Sequence, residues 1–395
     1  MKLLILLFHF ISKMKDIEKL TCDAMNYAWG KPASKSLVAK FIGRTEDKGQ
    51  KYAELWMGTH KKAPSLVQST GKPLCEEISG DLPFLLKVLS VDKALSIQLH
   101  PTKKEAPGLH AAFPQHYPDS NHKPEMAIAL TEFEGLCGFK PLIEILENIR
   151  NHDELHHDLS PDLFDIIQGK TRFNVENETS FIKKLFTELI QLPSSADKIL
   201  KKVTGLASLS PSDKLFQRIH SQHPGDRGLV CIYLLNHVIL QPGECMFLGA
   251  NKIHAYFSGD CVECMACSDN VVRAGLTGKF IDVDRLIVMV DCTPGTVASQ
   301  KLKATHESVT SDGSTVRSFI PPVKDFAVDY IECKFSSVNL PGKASPQIIL
   351  CTEGEGFIET DMECVKIQSG EVVYLLSDKP IKVNGKLKLF GAYHQ

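Results

Sequence analysis

Long apolar runs are missing from this chain: nowhere do about 18 consecutive apolar residues occur, which excludes a membrane-spanning helix. A surplus of one charge is missing too. Forty-five Lys plus Arg face 47 Asp plus Glu, for a net charge of −2, so nothing here is built to neutralise a phosphate backbone, and nucleic acid is not an expected partner. Low-complexity blocks are absent, because the 21 Pro and 26 Gly are spread along the chain. Cysteine is sparse for a disulfide scaffold: twelve in 395 residues, irregularly spaced, read as reduced thiols of a cytosolic protein. What is present is 43% hydrophobic content, enough for roughly two or three packed domains.

At the N-terminus Lys2 precedes the apolar run Leu3 to Phe8, which resembles a short signal-peptide h-region. His9 interrupts it, Lys13 and Lys15 follow, and no small-x-small cleavage site appears. Residues 1–15 therefore read as an N-terminal extension, with a start at Met14 as the other explanation, and the expected location is cytoplasmic.

From Cys22 to Leu99, short apolar segments such as Tyr52 to Met57 and Phe84 to Leu89 have strand length and are punctuated by Gly, Pro and Lys. After Pro141 the period changes. Leu142, Ile145, Leu146 and Ile149 mark one helix face, Phe181 to Leu192 repeats the stripe, and Ser160-Pro161 and Ser210-Pro211 each place a capping hydroxyl before a first-turn proline. Strands are predicted again at Leu229 to Leu235, Val238 to Leu240 and, after the turn Gln241-Pro242-Gly243-Glu244, at Cys245 to Leu248. The last stretch is β-rich, and Gly370-Glu371 before Val372 echoes Gly243-Glu244 before Cys245, a weak repeat that points to two related jelly-roll barrels. The expected fold is mainly β with an inserted α-helical domain. Its parts are the extension 1–15, a discontinuous β-domain at 16–140 and 226–304, the helical insertion 141–225, and a C-terminal jelly-roll-like domain 305–395.

Three short segments hold groups suited to a metal. Gln98 and His100 alternate onto one face of a strand; Lys123 and Glu125 do the same ahead of the apolar run Met126 to Leu130; His254 and Tyr256 do so again. Gln98, His100, Glu125 and His254 offer nitrogen and oxygen ligands acceptable to Zn²⁺, Mn²⁺ or Fe²⁺. Two other groupings read as structure. Cys261, Cys264 and Cys267 lack a fourth cysteine at suitable spacing and are expected to pack as small apolar residues. His152 and His156 stand at i, i+4 without the glutamate of a His-Glu-x-x-His site and are expected on a solvated helical face.

These segments resemble the signatures of the type I phosphomannose isomerases, zinc enzymes that interconvert mannose 6-phosphate and fructose 6-phosphate. The matching phrases are Tyr27-Ala28-Trp29-Gly30, Ala53 to His60, Leu82 to Leu89, and the long run from His254 through Cys264-Met265-Ala266-Cys267-Ser268-Asp269-Asn270-Val271-Val272-Arg273-Ala274-Gly275-Leu276-Thr277. The chain departs from the pattern at Leu99, Lys61 and Gly278, none of them a ligand position. The resemblance implies cupin-type β-barrels, one zinc per chain held by Gln98, His100, Glu125 and His254, and a catalytic arginine at Arg273.

For that reaction, Lys123 is the leading candidate for the base, with His122, Glu263 and Asp269 also open. Lys87, Tyr256, Glu263, Asp269 and Lys279 are candidates to bind the sugar phosphate. The expected enzyme is a metal-dependent aldose–ketose isomerase working through an enediol and feeding mannose and GDP-mannose metabolism. The alternative is a non-catalytic cupin-type protein that binds a sugar phosphate or a metal. Expected partners are limited to the small-molecule substrate, with no membrane and a monomer favoured.

Overall fold

The computed structural model describes residues 15–171, 178–335 and 337–395, so the apolar run Leu3 to Phe8 lies outside the described residues. Two large antiparallel sheets carry the fold. The first holds the strands Glu54–Met57, Phe84–Val91, Glu125–Ala129, Cys245–Leu248 and His254–Ala266, the last pairing with both Phe84–Val91 and Glu125–Ala129. Period-two alternation sorts their side chains. Phe84, Leu86, Val88, Met126, Ile128, Val262 and Cys264 point toward the second sheet and share one core with its Val328, Ile348, Leu350 and Phe390. The opposite, inner side receives Leu89, Val91, Ala127, Ala129, Tyr256 and Cys261.

The second sheet is built on Gln347–Glu359 and Ile381–Tyr393. It also takes in the first described strand, Ile17–Thr21, which pairs with Val372–Leu375. The N-terminal strand thus lies in the sheet of the C-terminal region, across the boundary drawn from sequence, because Ile17 and Leu20 complete apolar clusters there.

Helices dominate the described residues between 142 and 222. Leu142, Ile145, Leu146 and Ile149 are buried in the helix Leu142–Arg150, and Phe181, Ile182, Leu185, Phe186, Leu189 and Ile190 in Glu178–Gln191. They share a core with Ile97, Leu99, Val272 and Ala274, so the insertion backs the very strands that flank Gln98 and Arg273.

Four local expectations differ from what is observed. The expected strand Leu229 to Leu235 is helical from Arg227 to Leu234, with the strand beginning at Leu235. Asp226 caps it by accepting from the Gly228 amide at 2.7 Å, and all-round burial against the helices gives an unbroken apolar run whose period cannot be read. The strand expected from Tyr52 is interrupted at Ala53, between Lys51–Tyr52 and Glu54–Met57. Ser210 forms a full capping box with Asp213, whereas Ser160 makes no cap bond and gives its amide and hydroxyl to Glu188 at 2.8 and 2.7 Å. Finally, His152 and His156 are 2% and 4% exposed rather than solvated. His152 lies before the helix Asp153–His156 and bonds to Asp213 at 3.0 Å, and His156 packs on Phe164. Short helices turn both faces into the insertion, which a single i, i+4 spacing does not reveal.

Cys261, Cys264 and Cys267 do not converge. Cys261 and Cys264 fall on opposite faces of one strand, and Cys267 donates to the Leu82 carbonyl. All twelve cysteines are free thiols.

Candidate metal centre and active site

The inner wall of the first barrel carries a set of groups that no apolar core would hold. Glu125 opens the strand Glu125–Ala129, His254 opens His254–Ala266, and His100 directly follows Ile97–Leu99. Their relative exposures are 2%, 1% and 0%. The Nε2 atoms of His100 and His254 each lie 3.3 Å from Glu125 Oε2, and the two rings stand 5.1 Å apart.

Both histidines spend their other nitrogen on a carbonyl. Nδ1 of His100 donates to Asn270 at 2.8 Å, and Nδ1 of His254 donates to Lys252 at 2.8 Å. Each Nε2 is then a bare lone pair. Burial, with the Lys123 ammonium nearby, lowers His100 to about 4, which keeps the ring neutral. Burial pushes Glu125 upward, but the Lys123 ammonium, 2.8 Å from its Oε1, outweighs that and holds the carboxyl well below its ordinary range. Two lone pairs and a carboxylate oxygen, all three buried without a hydrogen-bond partner, therefore face one another. That arrangement is repulsive unless a cation sits among them. The donor set of two imidazoles and a carboxylate fits zinc, and carbonyls bonded to the far ring nitrogens are its usual support. Among the described residues this is the one such grouping of His, Cys, Asp or Glu.

Gln98 stands directly opposite His254 in one pairing and opposite Arg273 in another, and its Oε1 accepts from Ser96 Oγ at 3.2 Å. Arg273 is thereby placed two strands, or about 10 Å of backbone, from His254. Half-buried, it makes no ion pair or hydrogen bond among the described residues. Burial lowers it, opposed by Tyr117, whose hydroxyl is held by Asp282 at 3.0 Å. A guanidinium stays cationic there regardless.

Deeper in the barrel, Lys87 pairs with Glu263 at 3.3 Å, lies 4.0 Å from Glu54 and sits over the Trp56 ring at 5.1 Å. Burial and the neighbouring Glu125 raise Glu263, with Lys87 opposing them. Burial, then Glu263, raises the Tyr256 phenol, which stacks edge-on with Phe133. Asp269 pairs with Lys62 at 2.6 Å, and His122 pairs with Asp325 at 3.0 Å. Lys279 is exposed, and its backbone amide donates to Thr277 Oγ1, a bond that does not bring its charge inward.

Glu54, Trp56 and Asn270 belong to this interior although no role was drawn for them from sequence. The alternation Glu54, Trp56 beside Leu55, Met57 was the available signal. Asn270 gave none, since its importance rests on its backbone carbonyl.

A buried imidazole and carboxylate cage inside a β-barrel, beside an unpaired arginine, defines a metal-dependent cupin-type enzyme. Residues 17–142 match the family model of the phosphomannose isomerase type I catalytic domain. Mannose-6-phosphate isomerase of Saccharomyces cerevisiae is 37% identical, covering 95% of this chain and 97% of its own length, and that of Homo sapiens is 36% identical over 92% and 94%. A crystal structure of the Salmonella typhimurium mannose 6-phosphate isomerase, bound to fructose 6-phosphate and zinc, superposes with a TM-score of 0.83 at 28% identity, covering 96% of this chain and all of that one. The chain belongs to the type I phosphomannose isomerase family.

Proposed function

We propose that this enzyme interconverts mannose 6-phosphate and fructose 6-phosphate, as supported by the Salmonella relative's binding of fructose 6-phosphate and zinc. The observation that carries the reading is the set of unpartnered lone pairs on His100, Glu125 and His254, with an unpaired arginine close by. His100, Glu125 and His254 would hold the zinc, with Gln98 as the candidate fourth ligand. When bound, the metal supplies positive charge that orders the sugar oxygens and favours their anionic forms.

The reaction moves a proton between C2 and C1 through an enediol. Lys123 is assigned that proton, accepting it as the free amine and returning it as the ammonium. Its nitrogen lies 2.8 Å from the cage residue Glu125, whereas His122 and Asp269 pair with Asp325 and Lys62, which are not cage residues. Asp269 is a poor base besides: burial raises it, but Lys62 and His60 prevail and hold its carboxyl low. Arg273, having no carboxylate of its own, faces the charge that grows on the enediolate oxygen. Lys87 orders the barrel floor through Glu263 and Glu54, and with Tyr256 and Glu263 it shapes the sugar pocket. Lys279 contributes to the phosphate's approach from the rim, while Asp269 fixes the wall beside Asn270.

No helix among the described residues is long and apolar enough to cross a membrane. We place the enzyme in the cytoplasm as a monomer without nucleic-acid partners, in support of GDP-mannose supply. A purified, zinc-loaded sample given mannose 6-phosphate should form fructose 6-phosphate, and turnover in heavy water should leave deuterium at C1 or C2. Absence of fructose 6-phosphate would remove the proposal.

A further inference from the structure

Which ring nitrogen of a ligand histidine carries the proton is decided by the group facing the other nitrogen. For His254 that group is local, the carbonyl of Lys252 two residues back. For His100 it is the carbonyl of Asn270, 170 residues away. Something other than chain connectivity must hold that carbonyl in place.

The Asn270 side chain is completely buried, and its Nδ2 donates to the Asp119 carbonyl at 2.7 Å, to Asp119 Oδ1 at 3.1 Å and to the Asn121 carbonyl at 2.8 Å. Its own amide donates to Ser268 Oγ at 3.2 Å, and that hydroxyl in turn donates to the Asn121 carbonyl at 3.1 Å. Asp119 closes the loop by accepting the Asp269 amide at 2.7 Å. Asn121 stands four residues before Glu125, and Asn270 three before Arg273. One residue, through its backbone carbonyl and its side-chain amide, therefore joins the segments that carry His100, Glu125 and Arg273.

We propose that Asn270, braced by Asp119, is a positioning residue for the metal centre: it fixes His100 with Nε2 toward the cage and so assembles the site before zinc arrives. This rests on the metal reading given above. A matched control exists in Asn236, also buried, whose Nδ2 donates to the carbonyls of Gly138, Phe139 and Gly295 at 3.3, 2.9 and 3.0 Å and touches no ligand.

The test is zinc affinity of the metal-free full chain, measured by competition with a chromophoric chelator, together with thermal unfolding of the same samples. Asn270→Ala should weaken zinc about 10–100-fold, the usual scale for losing the support of a ligand, and excess zinc should restore most of kcat. Asp119→Ala should weaken zinc in the same direction but less. Asn236→Ala should lower the unfolding temperature and leave zinc affinity unchanged. Wild-type affinity in Asn270→Ala, or equal weakening in Asn236→Ala, overturns the proposal. Should Asn270→Ala fail to fold, wild-type affinity in Asp119→Ala overturns it instead. A wild-type chain that takes up no zinc defeats the metal reading, a separate failure.

Discussion

The two sheets solve the same turn in the same way and then diverge. In Gln241 to Glu244 the Glu244 amide donates to the Gln241 carbonyl at 2.9 Å, Glu244 Oε2 accepts the Gln241 amide at 2.9 Å, and Gly243 takes φ 84°. In Gln368 to Glu371 the two bonds recur at 2.9 Å each, with Gly370 at φ 90°. Each glutamate then pairs with a lysine, Lys301 or Lys19. A four-residue strand follows in both places. Opposite the last residue of that strand stands Glu125 in one sheet and Gln347 in the other. Among the described residues the second barrel holds no such cage, and its interior is filled by Ile331, Ile349, Ile358, Val373, Leu375, Leu389 and their neighbours. One scaffold thus serves chemistry in one copy and packing in the other, and the difference lies in a few inward positions rather than in the fold.

The hardest way to break this contrast is to remove the charge at the register position that distinguishes the barrels. Glu125→Ala should abolish stoichiometric zinc by elemental analysis and, with it, isomerase activity by more than ~10²-fold. Next comes Arg273, for which the second barrel has no counterpart in role. Arg273→Ala should lower kcat by about 10²-fold or more with KM much less affected and zinc retained, and Arg273→Lys should recover little because the planar fork is lost. A raised KM at normal kcat would make the arginine a ground-state phosphate contact.

The converse test belongs to the filled barrel. Ile349, fully buried among aliphatic side chains, should lose about 2–5 kcal/mol of stability on change to alanine by denaturant unfolding. Zinc content and kcat of the folded fraction should stay at wild-type levels. A fall in kcat there would show that the two barrels are coupled rather than divided in labour.

The smallest effect lies at the seam between the first barrel and the helices. Lys140 is buried, with Nζ donating to the Ile232 carbonyl at 2.8 Å, and burial lowers it from 10.5 to about 8 against the pull of Glu144. Its folded value lies below its unfolded one, so the unfolded chain binds more protons between them. The penalty is complete below pH 8, and stability contributed at this site rises from about pH 8 toward 10.5, by on the order of 2–3 kcal/mol. Comparing wild type with Lys140→Met at pH 7 and pH 10 should show the wild type gaining on the variant. A pH-independent difference would mean that Lys140 is charged equally in both states.

The ligand segments were legible because each is short and local. His254 and Tyr256, or Lys123 and Glu125, declare a shared side through a spacing of two, and the helix Leu142–Arg150 declares its buried face through four apolar positions. Leu229 to Leu234 departs from its expected strand for the opposite reason: buried on all sides, it shows no period, and a capping aspartate just ahead of it decides for helix. Likewise the burial of His152 and His156 depends on Asp213, Tyr233 and Phe164 arriving from other helices.

The residue types and spacings alone determined that this chain is mainly β with a helical insertion, and that Gln98, His100, Glu125 and His254 are metal-ligand candidates, since strand and helix periods are properties of neighbouring residues; the two barrels rested on a weak repeat and on the family resemblance. Only the tertiary structure decided that Ile17–Thr21 crosses to the far sheet, that Lys87 is neutralised by Glu263 and Glu54, and that Asn270 orients His100. Those are pairings between residues tens to hundreds of positions apart, fixed by which faces can be buried together and which lone pairs and protons then meet.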